Sequence, residues 1–91
     1  MTIRKRANGT LSTGEVGKLL GVERRTVGVW IANGRLKSSR TLGNAIRVEI
    51  KDAIGLALDG GVKISRSAIP YSDDELVAMG VPKAQVSALN K

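Results

Sequence analysis

Two short stretches of helical apolar spacing, separated by a glycine stop, restrict what this chain can fold into more than anything else in it. In the first, residues 11–20, Val16, Leu19 and Leu20 recur at the spacing of one buried helical face. Ser12 stands three residues before Glu15, the spacing of a capping box, and Leu11 and Val16 are placed to clamp across that cap. Gly21 then offers the left-handed residue that ends a helix at little steric cost. In the second stretch, residues 24–33, Val27, Trp30 and Ile31 fall at i, i+3 and i+4, and Asn33-Gly34 closes it. Only Val22 and Glu23 lie between Gly21 and the second helix. A connection that short makes the second helix cross the first steeply and present its outer face, which is the helix-turn-helix pattern.

The rest of the chain reads as follows. Residues 1–10 carry Arg4-Lys5-Arg6 with no periodicity and are expected to form a basic flexible arm. Residues 36–50 read as two short strands joined by the turn-like Thr41-Leu42-Gly43-Asn44, with Ile46, Val48 and Ile50 alternating with Arg47 and Glu49. Residues 51–58 read as a third helix, stopped by Gly60-Gly61. Beyond it, Val62 and Ile64 have the spacing of a short strand, and Ser65 to Ser67 read as linker. Ser72 and Glu75 repeat the capping-box spacing and predict a helix from Asp73 to Met79. Pro82 suits the start of a last helix with Val86 and Leu89 as its apolar residues. The expected fold is mainly α with a small β-hairpin wing: a winged helix-turn-helix over 11–60, with a short helical extension at 61–91 that packs on it or self-associates.

Composition excludes several function classes. The 91 residues contain no cysteine and no histidine, which removes disulfides, thiol chemistry, zinc-finger sites and the commonest general base. No nucleophile–base pair and no phosphate-cradling glycine loop is present, so an enzyme is not expected, and neither is a cofactor. Asp73-Asp74-Glu75 suits the first turn of a helix better than a metal site, because acids there complement the helix dipole. No apolar run approaches the ~20 residues of a membrane span, and the basic N-terminus lacks the apolar stretch of a secretory signal, so a cytoplasmic location is expected.

Charge is unevenly spread. Residues 1–47 hold ten basic and two acidic residues, whereas residues 48–91 hold five basic and six acidic. A basic half joined to a near-neutral half suggests a polyanion-binding face and a separate structural or interaction segment. On the second helix, Arg24, Arg25 and Thr26 occupy the first turn, where arginine can read guanine and threonine a phosphate, a base or a thymine methyl; Val29 suits a thymine methyl as well. Around the wing, Arg35, Lys37, Arg40, Asn44 and Arg47 suit phosphates or a narrow minor groove. Arg4 and Arg6 of the arm could track the backbone or an adjacent minor groove. Trp30 falls in line with Val27 and Ile31 and belongs to the core.

The segments Leu-Ser-Thr-Gly-Glu-Val-Gly-Lys-Leu-Leu-Gly-Val (11–22) and Arg-Arg-Thr-Val-Gly-Val-Trp-Ile-Ala-Asn-Gly-Arg-Leu (24–36), with the wing and the helix start Ile50-Lys51-Asp52-Ala53-Ile54, resemble the MerR-like, excisionase-type winged-helix family. The resemblance covers 11–58. It implies binding of double-stranded DNA, with the second helix in the major groove and the wing over the adjacent minor groove. It departs from the family at Glu23, where members often carry a hydroxyl cap, and at Gly28 and Val29, where members tend to be basic. Fewer base contacts would follow, and shape readout or cooperativity would carry more of the specificity. Regulators, phage excisionases and small terminase subunits all occur in the family. Residues 62–91 are too few for both a dimerising helix and a sensor domain, so no small-molecule effector is expected. An excisionase-type factor is then the first expectation: it would bind DNA cooperatively with other copies of itself, bend it, and assist an integrase on the nucleoid of a bacterial host. A compact repressor and a DNA-packaging adaptor are the alternatives, and an RNA-binding module fits less well without an aromatic platform.

Overall fold

The computed structural model describes residues 3–90; Met1, Thr2 and Lys91, of which the first two belong to the expected arm, lie outside the described residues. The elements run β1 (Thr10–Leu11), α1 (Thr13–Leu20), α2 (Arg24–Ala32), β2 (Ser39–Arg40), β3 (Ile46–Glu49), α3 (Ile50–Asp59), a 3-10 turn at Arg66–Ala68, α4 (Asp73–Ala78) and α5 (Lys83–Leu89). The strands form a small antiparallel sheet in the order β1-β3-β2. This is a winged helix-turn-helix, mainly helical, as the spacing predicts.

Local signals place the first two helices. Ser12 Oγ accepts from the Glu15 N–H at 3.2 Å, and Glu15 Oε1 accepts from the Ser12 N–H at 2.7 Å, completing the capping box. Gly21 ends α1 at φ +70°, a left-handed conformation that any other common residue enters at a cost. The steep crossing has a second requirement. A Cβ on Gly17 would stand 2.8 Å from the Val22 carbonyl oxygen and 3.5 Å from the Arg24 nitrogen, so the turn closes onto α1 only because residue 17 has no side chain. Glu23 precedes α2 without a side-chain cap, leaving that helix start to the dipole alone.

One apolar core serves the whole described chain. Val16, Leu19 and Leu20 of α1 meet Val27 of α2, Val48 of β3, and Ile50, Ala53, Ile54 and Ala57 of α3. Trp30 and Ile31 are half-buried against the same cluster. Ile69, Tyr71, Leu76, Val81, Val86 and Leu89 are also buried in it. The segment expected as an extension therefore packs, and α5 lies against α3 and α4.

Four regions differ from the sequence expectation. Residues 3–9 are not a free arm: Ile3 is buried, the Tyr71 hydroxyl donates to the Arg6 carbonyl at 2.6 Å and accepts from the Arg6 N–H at 2.9 Å, and Thr10–Leu11 pairs with Glu49 and Val48. Ile50 leaves the alternation of β3 and opens α3, because its N–H donates to the Gly9 carbonyl and the chain turns into the helix there. Val62 and Ile64 form no strand; the Val62 N–H returns to the Ala57 carbonyl and finishes α3 instead. Ser65 to Ser67 lead into a 3-10 turn whose Arg66 guanidinium donates to the carbonyls of Ile69 and Tyr71, which orders what composition alone presents as linker. No helix among the described residues is long and apolar enough to cross a membrane.

Candidate nucleic-acid interface

The helical repeat sorts α2 into two faces. Val27 is fully buried, while Arg25, Gly28, Val29 and Ala32, spaced i, i+3, i+4 and i+7, are exposed and form one outward stripe. Val29 is 54% exposed, high for a β-branched aliphatic on a structured helix. Arg24 is exposed at the first turn, and its Nε donates to Thr13 Oγ1 at 3.4 Å, a link from the start of α2 to the start of α1. Thr26 is half-buried at the edge of the stripe. A Cβ on Gly28 would meet nothing within 4 Å, so nothing inside the protein asks for glycine there. The second turn of α2 is thus bare as well as exposed.

The end of α2 aims the wing. The Asn33 N–H donates to the Val29 carbonyl, and the N–H groups of Arg35 and Leu36 both donate to the Trp30 carbonyl, at 2.9 and 3.2 Å. Leu36 is buried and anchors this return, leaving Arg35 and Lys37 exposed on either side of it. The hairpin then pairs Ser39 with Arg47 and Arg40 with Ile46. Its connection is closed by Thr41 N–H to Ala45 carbonyl and Asn44 N–H to Thr41 carbonyl, both 2.9 Å, with Asn44 at φ +64°. This is a three-residue hairpin loop ending in a left-handed residue. Arg40 Nη1 donates to the Asn44 carbonyl at 3.3 Å and to Asn44 Oδ1 at 3.2 Å, so two expected contact residues brace each other across the tip. Arg47 is half-buried and lines a shallow cleft with Lys37, Ser38, Ser39, Glu49 and Asp52. Lys51, which the sequence reading passed over, lines a neighbouring cleft with Arg35 and Lys37, alongside Asp52 and Asp59. The base of the wing is therefore mixed in charge, whereas α2's first turn and the hairpin tip are basic or neutral.

The two arm residues differ from each other. Arg6 pairs with the Glu15 carboxylate and also donates to the Thr10 carbonyl, and both side chains of the pair are mostly covered. Arg4 is exposed, and its N–H reaches Glu15 Oε2 at 3.0 Å. Burial raises the Glu15 carboxyl, but the Ser12 N–H, the Arg6 guanidinium and the Arg4 N–H together outweigh it and hold its pKa down to about 2. A capping residue thus also gathers the start of the chain. The sequence signal for this was limited to an acid in reach of a basic run.

Ion pairing follows the same division. Lys5 meets Glu75 at 3.1 Å and lies 5.7 Å from the centre of the Tyr71 ring; Arg6 meets Glu15; Arg66 meets Asp73 at 2.8 Å. Hydrogen bonds from Arg66 and Asn90 lower the Asp73 carboxyl, and those from the Ser72 N–H and Lys5 lower Glu75. By contrast, Arg24, Arg25, Arg35, Lys37, Arg40 and Arg47 form no ion pair with any described residue. Among the described residues no group of three or more acids is placed to hold a metal ion.

No curated protein and no solved structure gives a significant match to this chain. Residues 10–52 match the family model described as a helix-turn-helix domain, a span that opens at β1, takes in α1, α2 and the wing, and closes in the first turn of α3. Fold geometry and family model coincide over that span, and the match supports a helix-turn-helix of the DNA-binding kind.

Proposed function

We propose that this chain binds double-stranded DNA in a sequence-specific manner, with α2 in the major groove and the β2–β3 wing over the adjacent minor groove. One observation carries the reading: the six cations of α2 and the wing form no ion pair with any described residue, whereas Lys5, Arg6 and Arg66 are each paired with a carboxylate of the fold. Unpaired arginines and lysines around a projecting helix neutralise phosphates and release counterions. Arg24, Arg25 and Thr26 form the reading edge, and Val29 offers an apolar contact to a thymine methyl. Arg35, Lys37, Arg40, Asn44 and Arg47 position the protein on the backbone, with Arg4 within the same basic surface. Arg6 drops out of the interface, because displacing it from Glu15 would strip a covered carboxylate of its partner.

The role that fits best is that of an excisionase-type architectural factor. Its contact surface is small and its second helical turn is bare, which favours adjacent copies and DNA shape over a dense set of base contacts. The closing helices α4 and α5 are short and bury their apolar residues in the core, so no long dimerising helix stands among the described residues. An integrase acting on the bent DNA is the partner this role requires.

The test is the double variant Arg24→Ala, Arg25→Ala against a duplex selected by the parent from a random-sequence library. Losing one or two base contacts at about 1–3 kcal/mol each weakens binding about fivefold or more and relaxes the selected sequence. Equal affinity for the two proteins would show that α2 is not the reading helix. Footprints on the selected sites report the role: tandem repeats fit side-by-side assembly, and a lone palindrome fits a symmetric repressor.

A further inference from the structure

The wing carries one residue that neither the fold nor the contacts assigned above account for. Leu42 sits at the tip of the β2–β3 hairpin with its side chain fully exposed, at 109% of the reference area. A lone exposed leucine is ordinary on a protein surface. What distinguishes Leu42 is where it stands and how it is held. Leu42 opens the loop beyond Arg40–Ile46, the last pair of the β2–β3 ladder, so it stands past the end of the strands, and Ile46 behind it is half-buried. The loop beneath it is braced by the Thr41–Ala45 and Asn44–Thr41 backbone bonds, by Thr41 Oγ1 accepting from the Ala45 N–H at 3.2 Å, and by both contacts from Arg40 to Asn44. The loop is therefore braced without the Leu42 side chain, and its next residue, Gly43, adds no bulk.

We infer that Leu42 is a minor-groove wedge: on DNA it enters a base-pair step beneath the wing, partly unstacks it and kinks the duplex towards the major groove. This rests on the DNA-binding reading above and adds the device that would bend the DNA. A wedge needs an apolar tip, a stiff mount and cations beside it to hold the backbone close. Leu42 supplies the first, the braced loop the second, and Arg40, exposed two residues before Leu42 at the end of β2, the third; Arg47 lies one pair further down the ladder. Leucine is among the side chains used in this way, and such insertions kink DNA by about 20–90°. The deformation is cheapest at pyrimidine–purine steps such as TA and CA, so the wedge also confers a sequence preference at a position no hydrogen bond reads.

The experiment uses the full chain and a duplex selected by it from a random-sequence library. Bending is read by end-to-end energy transfer, and unstacking by 2-aminopurine placed at the step under the wing. The parent is expected to kink the duplex by about 20° or more and raise the 2-aminopurine emission. Leu42→Ala and Leu42→Asn are expected to stay bound within an order of magnitude, lose the kink and the emission rise, and lose the preference for TA or CA at that step. Leu42→Met is expected to retain all three. Leu42 touches no core residue, so these variants keep the parent's circular dichroism and unfolding midpoint. If the parent selects no duplex, the DNA-binding reading fails and the wedge with it. If the parent binds but the duplex stays straight, or the alanine variant bends it equally, the wedge alone is overturned. If the alanine variant keeps the bend but shortens the array of copies on DNA, Leu42 is a contact between proteins and the wedge is likewise overturned.

Discussion

The two glycines inside the helices of the helix-turn-helix are chemically identical and structurally opposite. Gly17 faces inward, where a methyl group would collide with the Val22 carbonyl at 2.8 Å. Gly28 faces outward, where the same methyl would meet nothing. Around Gly17 every local device is in use: the Ser12–Glu15 box, the left-handed Gly21 and the apolar face of α1. Around Gly28 none is: α2 starts without a side-chain cap, its exposed stripe is nearly bare, and its cations form no ion pair with any described residue. The inner side of the motif was built for the fold alone. The outer side accepts a local loss of helix stability that no internal contact explains, which is the pattern of a surface shaped by something outside the chain.

That contrast can be broken at several points. Gly17→Ala carries the largest expected effect. The added methyl forces the turn away from α1, and the strain outweighs the helix-propensity gain, leaving the variant about 2–3 kcal/mol less stable. Urea unfolding measures this; an unchanged midpoint would mean that the close helix crossing does not depend on residue 17.

Glu15 tests the link from the cap to the start of the chain. Its carboxyl is held down to about 2, below the ordinary value of 4.5. A depressed carboxylate stabilises the fold fully above its unfolded pKa and loses that contribution as the pH falls through its folded one. Stability should therefore decline between pH 4.5 and about 2. Glu15→Gln is expected to cost on the order of 2 kcal/mol at neutral pH and to flatten that decline. Asp73 and Glu75, also lowered, leave a residual slope. A variant with the parent's acid limb would show that the Arg6–Glu15 pair adds nothing to stability.

The smallest expected effect on stability is the most informative about the outer face. Gly28→Ala should stabilise the protein by about 0.5–1 kcal/mol, since alanine favours the helix and nothing obstructs its methyl. If the α2 backbone lies close to DNA, the same variant binds the selected duplex more weakly than the parent. A gain in stability with unchanged binding would make Gly28 neutral towards DNA and sharpen the weight on Arg24 and Arg25.

Much of the helix-turn-helix was legible from residue order. Both capping boxes, the Gly21 stop, the Asn33-Gly34 closure and the Thr41–Asn44 turn stand where their spacing predicts, because each is made by residues within about four positions of one another. The candidate contact residues of α2 and the wing were likewise legible as types, since the faces of a helix follow from its period. Their availability was not. Arg4, Lys5 and Arg6 look alike in sequence, yet Lys5 goes to Glu75, Arg6 to Glu15, and Arg4 stays on the surface. Leu42 was visible only as part of a turn; its projection became plain once the loop beneath it was seen to be braced from within.

Residue order alone therefore determined the helices, their stops, the wing and the chemical character of the exposed face, because those features rest on short-range geometry and periodicity. The tertiary structure decided what joins distant parts of the chain. The Tyr71 hydroxyl closes on Arg6 across 65 positions, and Lys5 meets Glu75 across 70. The first strand exists only because Leu11 finds Val48, and the last thirty residues complete the same core rather than stand apart. Such contacts form only after the chain has folded back on itself, and their partners carry no mark in the local pattern. That folding paired Lys5 and Arg6 with carboxylates of the fold and left the cations of α2 and the wing without ion pairs among the described residues.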